Sequence, residues 1–73
     1  MGHKVKMLSP VKQCDWCEEA ITDVVYDARL PHYGGKWANL CPDCFRDNDC
    51  SLGTGNGQRF ERQADGSFVK VAG

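Results

Sequence analysis

The chain has no long apolar run. None of its 73 residues belongs to a stretch approaching the roughly 18 apolar positions of a membrane-spanning helix. Residues 1–10 also lack the apolar core of a secretory signal. Histidine is nearly absent, with two copies, His3 and His32. There is no Ser/His/Asp set and no Cys/His pair outside the cysteine motifs. The carboxylates are spread along the chain, so the expectation is a protein that is not an enzyme. Core-forming side chains are few. The candidates are Ile21, Val24, Val25, Tyr26, Trp37, Leu40, Phe45, Phe60, Phe68 and Val71. Below about 70–80 residues such a set seldom outweighs chain entropy without a staple. Base is scarce in the middle of the chain. Residues 14–50 hold Asp15, Glu18, Glu19, Asp23, Asp27, Asp43, Asp47 and Asp49 against only Arg29, Lys36 and Arg46.

What the chain has is cysteine, five in all. Four form two Cys-x-x-Cys pairs, Cys14-Asp15-Trp16-Cys17 and Cys41-Pro42-Asp43-Cys44, with 23 residues between Cys17 and Cys41. Two thiolates two residues apart reach one metal from a tight turn, and a second pair brought alongside completes a tetrahedron. Such a site has no open coordination position and is structural rather than catalytic. A tetrathiolate zinc site supplies on the order of 10–16 kcal/mol of apparent binding energy at neutral pH, so folding and metal binding are expected to be one event. A disulfide within one Cys-x-x-Cys would close a tiny loop and staple almost nothing. The expected cofactor is therefore one zinc ion per chain, held by Cys14, Cys17, Cys41 and Cys44. Free thiolates fit a reducing compartment, which makes the cytoplasm the expected location. The same donors can hold iron for electron transfer, and Cys41-Pro42-Asp43-Cys44 resembles the second pair of the rubredoxins. In that family a glycine follows the last cysteine, whereas Phe45 follows here.

Four segments follow from the composition. Residues 1–12 read as a flexible N-terminal arm, in which Val5, Met7 and Leu8 either dock as an edge strand or stay unordered. Residues 13–50 are the four-cysteine zinc-binding module. Its first knuckle spans residues 13–18, and Val24, Val25 and Tyr26 then favour a strand. Pro31-His32-Tyr33-Gly34-Gly35 is a turn with two glycines free to take positive φ, and residues 36–40 return as a second strand. Residues 41–50 are the one credible helix. Pro42 at its first position loses no needed hydrogen bond, Asp43 suits the helix dipole, and Gly53 is the expected stop. Residues 51–58, with Gly53-Thr54-Gly55-Asn56-Gly57, read as a glycine-rich flexible loop. Residues 59–73 make a C-terminal β-hairpin around Asp65-Gly66. With a two-residue loop there, Phe60 faces Val71, Glu61 faces Lys70 and Arg62 faces Val69. That register puts Phe60, Val69 and Val71 on one face. The expected fold class is a small metal-stabilised α+β protein.

Trp37-Ala38-Asn39-Leu40-Cys41-Pro42-Asp43-Cys44 resembles the approach to the second ligand pair in treble-clef zinc fingers of the GATA and LIM types. Those fingers also place an aromatic or apolar strand residue just before a helix-opening Cys-x-x-Cys. The resemblance covers residues 14–50, about half the chain. It implies a knuckle, a β-hairpin and a short helix around one zinc, and carries Cys14, Cys17, Cys41 and Cys44 over as the ligands. The gap of 23 residues is longer than the GATA-type spacing. Arg46-Asp47-Asn48-Asp49 stands where that family has basic residues, so DNA binding carries over poorly. The whole chain, including Gly53-Thr54-Gly55-Asn56-Gly57-Gln58-Arg59-Phe60-Glu61, is also similar to small zinc-finger proteins encoded by bacteriophages of actinobacteria. That similarity implies a host cytoplasm as the location.

The expected role is thus a structural zinc site supporting a protein-interaction module. Trp16, inside the first knuckle, is either a partner anchor, tryptophan being enriched at interface hot spots, or packs over the metal. Trp37 is expected in the core. The alternative is a nucleic-acid-binding finger in which Lys4, Lys6, Lys12, Arg59, Arg62 and Lys70 contact phosphates. Cys50 reads as a semi-buried small residue, since Asp47 and Asp49 oppose the low thiol pKa that reactivity requires. His32 reads as a turn residue rather than a ligand. The glycine-rich segment reads as a connector rather than a phosphate cradle, because no Lys-Ser/Thr follows it.

Overall fold

β-branched and aromatic residues open the first strand. In the computed structural model, which describes residues 11–73, β1 (Val24–Leu30) begins on Val24, Val25 and Tyr26. These residue types suit a pleated, half-buried surface. Val5, Met7 and Leu8, the expected edge strand, and the lysines Lys4 and Lys6 lie outside the described residues. The chain then reverses through residues 31–35. Gly34 and Gly35 both take φ of 73°, a region open mainly to glycine, and the N–H groups of Tyr33 and Gly35 donate to the Leu30 carbonyl at 3.2 and 3.1 Å. β2 (Lys36–Leu40) returns antiparallel to β1 with Ala28 opposite Ala38.

Helix α1 (Pro42–Asp47) starts as the sequence predicts, with Cys41 as N-cap, Pro42 in the first turn and Asp43 beside it. Its end differs from the expected residue 50 and the expected stop at Gly53. Asp49 takes a left-handed φ of 58°. The Cys50 N–H donates to the Phe45 carbonyl at 3.1 Å and the Asp49 N–H to the Arg46 carbonyl at 3.2 Å. This is the two-bond Schellman closure, which satisfies the Phe45 and Arg46 carbonyls at the helix end. Aspartate tolerates the left-handed region because its short polar side chain bonds locally, so the stop needs no glycine. The buried Asn48 adds a bond from Nδ2 to the Cys44 carbonyl at 2.9 Å.

The glycine-rich segment is a hydrogen-bonded turn docked on β1. Gly53 and Gly57 bridge each other, and the Arg29 N–H donates to the Asn56 carbonyl at 2.8 Å. β3 (Gly57–Arg62) begins on the last of these glycines. A Cβ on the buried Gly57 would lie 2.5 Å from the Ser51 carbonyl oxygen. The position needs glycine for a close backbone approach.

β3 pairs with β1 on one side and with β4 (Phe68–Ala72) on the other, giving one antiparallel sheet in the order β2-β1-β3-β4. The C-terminal hairpin therefore shares a sheet with the hairpin between the cysteine pairs. Its register is one residue away from the expected one: Arg62 faces Phe68, Glu61 faces Val69 and Phe60 faces Lys70. The turn is the cause. The Gln63 N–H donates to the Ser67 carbonyl at 2.7 Å and the Gly66 N–H to the Gln63 carbonyl at 2.9 Å. The loop is thus Ala64-Asp65-Gly66, with Gly66 at φ 89°, a three-residue connection closed by a left-handed glycine. Asp65 Oδ1 braces it by accepting from the Ser67 N–H and hydroxyl. A one-residue slip exchanges the two faces. Phe60 and Phe68 become buried together, and Val71, no longer on the face of Phe60, is 46% exposed instead of in the core.

The core is one cluster of Cys14, Ile21, Val25, Ala28, Leu30, Leu40, Cys44, Phe60 and Phe68. The helix is tied to it by the rings of Tyr26 and Phe45, stacked with centroids 3.9 Å apart. Ala28 and Leu30 join the core because β1 is an interior strand. Trp37, expected in the core, is 49% exposed, since β2 is the edge of the sheet.

Candidate metal centre

The first knuckle is built from backbone. The Cys14 N–H donates to the Glu19 carbonyl and the Glu18 N–H to the Cys14 carbonyl, each at 2.9 Å. Glu18 turns the chain at φ 64°, and Gln13 bridges Ala20. The Trp16 N–H points at Cys14 Sγ, 3.3 Å away. The knuckle is then clamped to β2 at one residue. The Asp15 N–H donates to the Asn39 carbonyl at 2.8 Å, and Asp15 Oδ2 accepts from the Asn39 N–H at 2.8 Å. Asn39 lies two positions before Cys41, so the clamp delivers the first thiol pair to the second.

The second pair is placed by a strand end and a helix start. Cys41 is the N-cap of α1 and Cys44 lies in its first turn, buried. Cys14 is buried too, Cys17 is exposed and Cys41 is half-buried. The four Sγ atoms lie within 4.8 Å of one another, and Cys17 Sγ is 3.8 Å from Cys41 Sγ. A tetrahedron of thiolates with metal–sulfur bonds of about 2.3 Å has edges of about 3.8 Å. The four cysteines are thus positioned to hold one metal ion, and this is the single group of three or more His, Cys, Asp or Glu donors so converged among the described residues.

The thiols also fit a cation electrostatically. Burial pushes Cys14 up, but backbone N–H groups of Cys17, Cys41 and Trp16 outweigh it and bring it down to about 7. Cys44 is pushed up, first by burial and then by the three thiols beside it. Cys17 is pulled down by the Glu19 backbone, but burial and the Cys14 and Cys41 thiols leave it raised. One anion is welcome in this cluster and four are not. A divalent cation is what allows all four sulfurs to ionise together.

Other candidates fall outside the cluster. His32 Nε2 lies 2.9 Å from Asp49 Oδ2, with both side chains exposed, and it tethers the hairpin turn to the end of α1. Cys50 is half-buried, as expected, and burial together with Asp49 raises its thiol pKa. Trp16 is 45% exposed, its ring against Tyr33 with centroids 4.8 Å apart and planes at 60°. Lys12 and Arg62 are exposed and Lys70 is half-buried. Arg59 is engaged with Glu61 at 3.3 Å, while its Nε is buried and finds no partner. Sequence reasoning counts Asp15 only as one acid among eight and misses its clamp on Asn39. Its partner lies on β2, 24 residues along the chain, so no local signal announces the bond. No helix among the described residues is long and apolar enough to cross a membrane.

No protein-family model, curated protein or solved structure matches the chain. The case for the site rests on its geometry and its donors.

Proposed function

We propose that the chain is a small non-enzymatic zinc protein, in which a structural tetrathiolate site of the treble-clef type holds a module that binds another protein. The observation that carries this reading is the convergence of four thiols, and no other donor among the described residues, from a knuckle and a helix start. Four thiolates saturate zinc and leave no position for water or substrate. The order knuckle, β1–β2 hairpin and α1 supports the treble-clef reading. Trp16 and Tyr33 support the binding role: two large aromatics are half-exposed beside the site instead of buried, the residue types that anchor interfaces. The eight acids of residues 14–50 make a basic partner surface the complementary one.

Elemental analysis comes first. A colourless protein with zinc equimolar to chain supports the reading, and coloured protein containing iron replaces it with rubredoxin-like electron transfer. Affinity purification from the native host follows, with wild-type and Trp16→Ala protein side by side. A partner recovered by the wild type and lost with the variant is the expected result. Recovery of nothing, with the variant silent in the native setting, removes the binding role.

The second reading is nucleic-acid binding. It draws support from three cations at or near the surface, Lys12 and Arg62 exposed and Lys70 half-buried. Binding of this kind weakens steeply with salt because phosphate contacts release counterions. No binding to DNA or RNA even at low salt ends it.

A further inference from the structure

The four thiols are not equivalent. Cys14 and Cys44 are buried, and Cys14 Sγ already takes the Trp16 N–H at 3.3 Å. Cys17 is exposed and Cys41 half-buried, and their sulfurs lie 3.8 Å apart. Of the six ways to pair four thiols, the one joining Cys17 to Cys41 alone recruits no buried sulfur. A bond within either Cys-x-x-Cys needs a buried partner, Cys14 in the first and Cys44 in the second.

We propose that Cys17 and Cys41 are a site of oxidative modification, at which hydrogen peroxide joins them by a disulfide across the metal site and expels the metal. The inference rests on the metal reading above. Cys17 Sγ attacks one oxygen of the peroxide; the O–O bond breaks, an S–O bond forms and hydroxide leaves. Cys41 Sγ then attacks Cys17 Sγ; the S–O bond breaks, the S–S bond forms and a second hydroxide leaves. The two sulfurs have given up two electrons and the peroxide has taken them. Two thiolates remain where four were needed, so the metal departs. The new bond ties the same two segments that the metal tied, the knuckle and the start of α1, and a bond within either pair would leave those segments unconnected. The oxidised chain therefore keeps its hairpin closed with the site emptied, and a dithiol reductant with added metal reverses the change.

The test uses metal-loaded Cys50→Ser protein, which lacks the fifth thiol and keeps all four ligands. It is treated with hydrogen peroxide while released metal is read with a chromogenic chelator and disulfides are mapped by peptide mass. Metal release in step with a Cys17–Cys41 crosslinked peptide, reversed by reductant and metal, is the expected result. A main product linking Cys14 to Cys17 or Cys41 to Cys44 overturns the proposal, as does metal release with over-oxidised sulfurs and no crosslink. Timed alkylation of the wild-type protein gives a second reading that needs no variant. Labelling of Cys17 and Cys41 ahead of Cys14 and Cys44 supports the proposal, and the opposite order sinks it. Metal content measured before peroxide is added separates the two failures. A chain that purifies without metal defeats the metal reading, while its disulfide map still tests the thiol pair.

Discussion

The two hairpins of this sheet are secured in different ways. The β1–β2 hairpin, with the knuckle on one side and α1 on the other, is closed by four thiols at one point. The β3–β4 hairpin is closed by its ladder, by the Gln63–Ser67 turn and by two buried phenylalanines. Neither would stand alone, because an isolated two-stranded hairpin is marginal in water. They are fused through β1, which pairs with β2 on one edge and β3 on the other, and Cys14 and Cys44 sit in the same core cluster as Phe60 and Phe68. We expect a metal staple at the four thiols and a hydrophobic staple at the phenylalanines to support a single cooperative unit.

Chelation puts that claim under the greatest strain. Removing the metal withdraws on the order of 10–16 kcal/mol, comparable to the whole stability of a typical domain, and both hairpins are expected to melt together. NMR shifts of Val25 and Phe60 that stay dispersed in chelated protein would show the hairpins to be independent. Acid acts in the same direction. Metal binding displaces thiol protons, so affinity falls as pH drops. Cys14, held at about 7, resists protonation longest, while the raised Cys17 and Cys44 thiols take up protons most readily. Metal release on acidification, followed with a chelating dye, is expected before any change in an oxidised, disulfide-closed sample.

Phe60→Ala attacks the other staple. Truncating a buried phenylalanine costs about 3–5 kcal/mol, and the side chain is 3% exposed. Denaturation of the metal-loaded variant should show that loss with metal stoichiometry unchanged. A stoichiometry that falls as well would mean that the phenylalanine helps to shape the metal site. Asp15→Ala tests the clamp between knuckle and β2. It removes one hydrogen bond to the Asn39 N–H, worth about 1 kcal/mol, and metal competition should show a corresponding loss of affinity. Arg46→Ala is the smallest change. Its pairs with Asp43 and Asp47 are exposed, at 3.2 and 3.4 Å. Thermal unfolding should register a loss of less than about 1 kcal/mol.

The local features are legible in the sequence and the distant ones are not. Cysteine spacing identifies the converging thiols, and Pro42 and Asp43 identify the helix start, because each signal lies within a few residues of what it controls. Trp37 is misread as core because hydrophobicity does not say which strand is at the edge. The order β2-β1-β3-β4 depends on where a strand from the far end of the chain docks. The hairpin register differs by one residue because Asp65-Gly66 serves a two-residue or a three-residue loop equally well. The difference lies in the bond from the Gln63 N–H to the Ser67 carbonyl, which no residue type announces. The helix stop is misplaced when glycine is taken as the only left-handed residue, and Asp49 takes that role.

The central position of β1 also sets an order of assembly. Its pairing with β2 is local, Ala28 meeting Ala38, and its pairing with β3 is distant, Val25 meeting Phe60. Local pairs form early, while distant ones wait on the entropy of closing a long loop. While β3 is still being synthesised, the second edge of β1 is bare. That edge opens with Val-Val-Tyr, a short template on which another nascent chain can add a strand. The arrival of Gly57 and Phe60 ends this exposure, so the glycine-rich turn that delivers them also limits how long the chain is prone to aggregate.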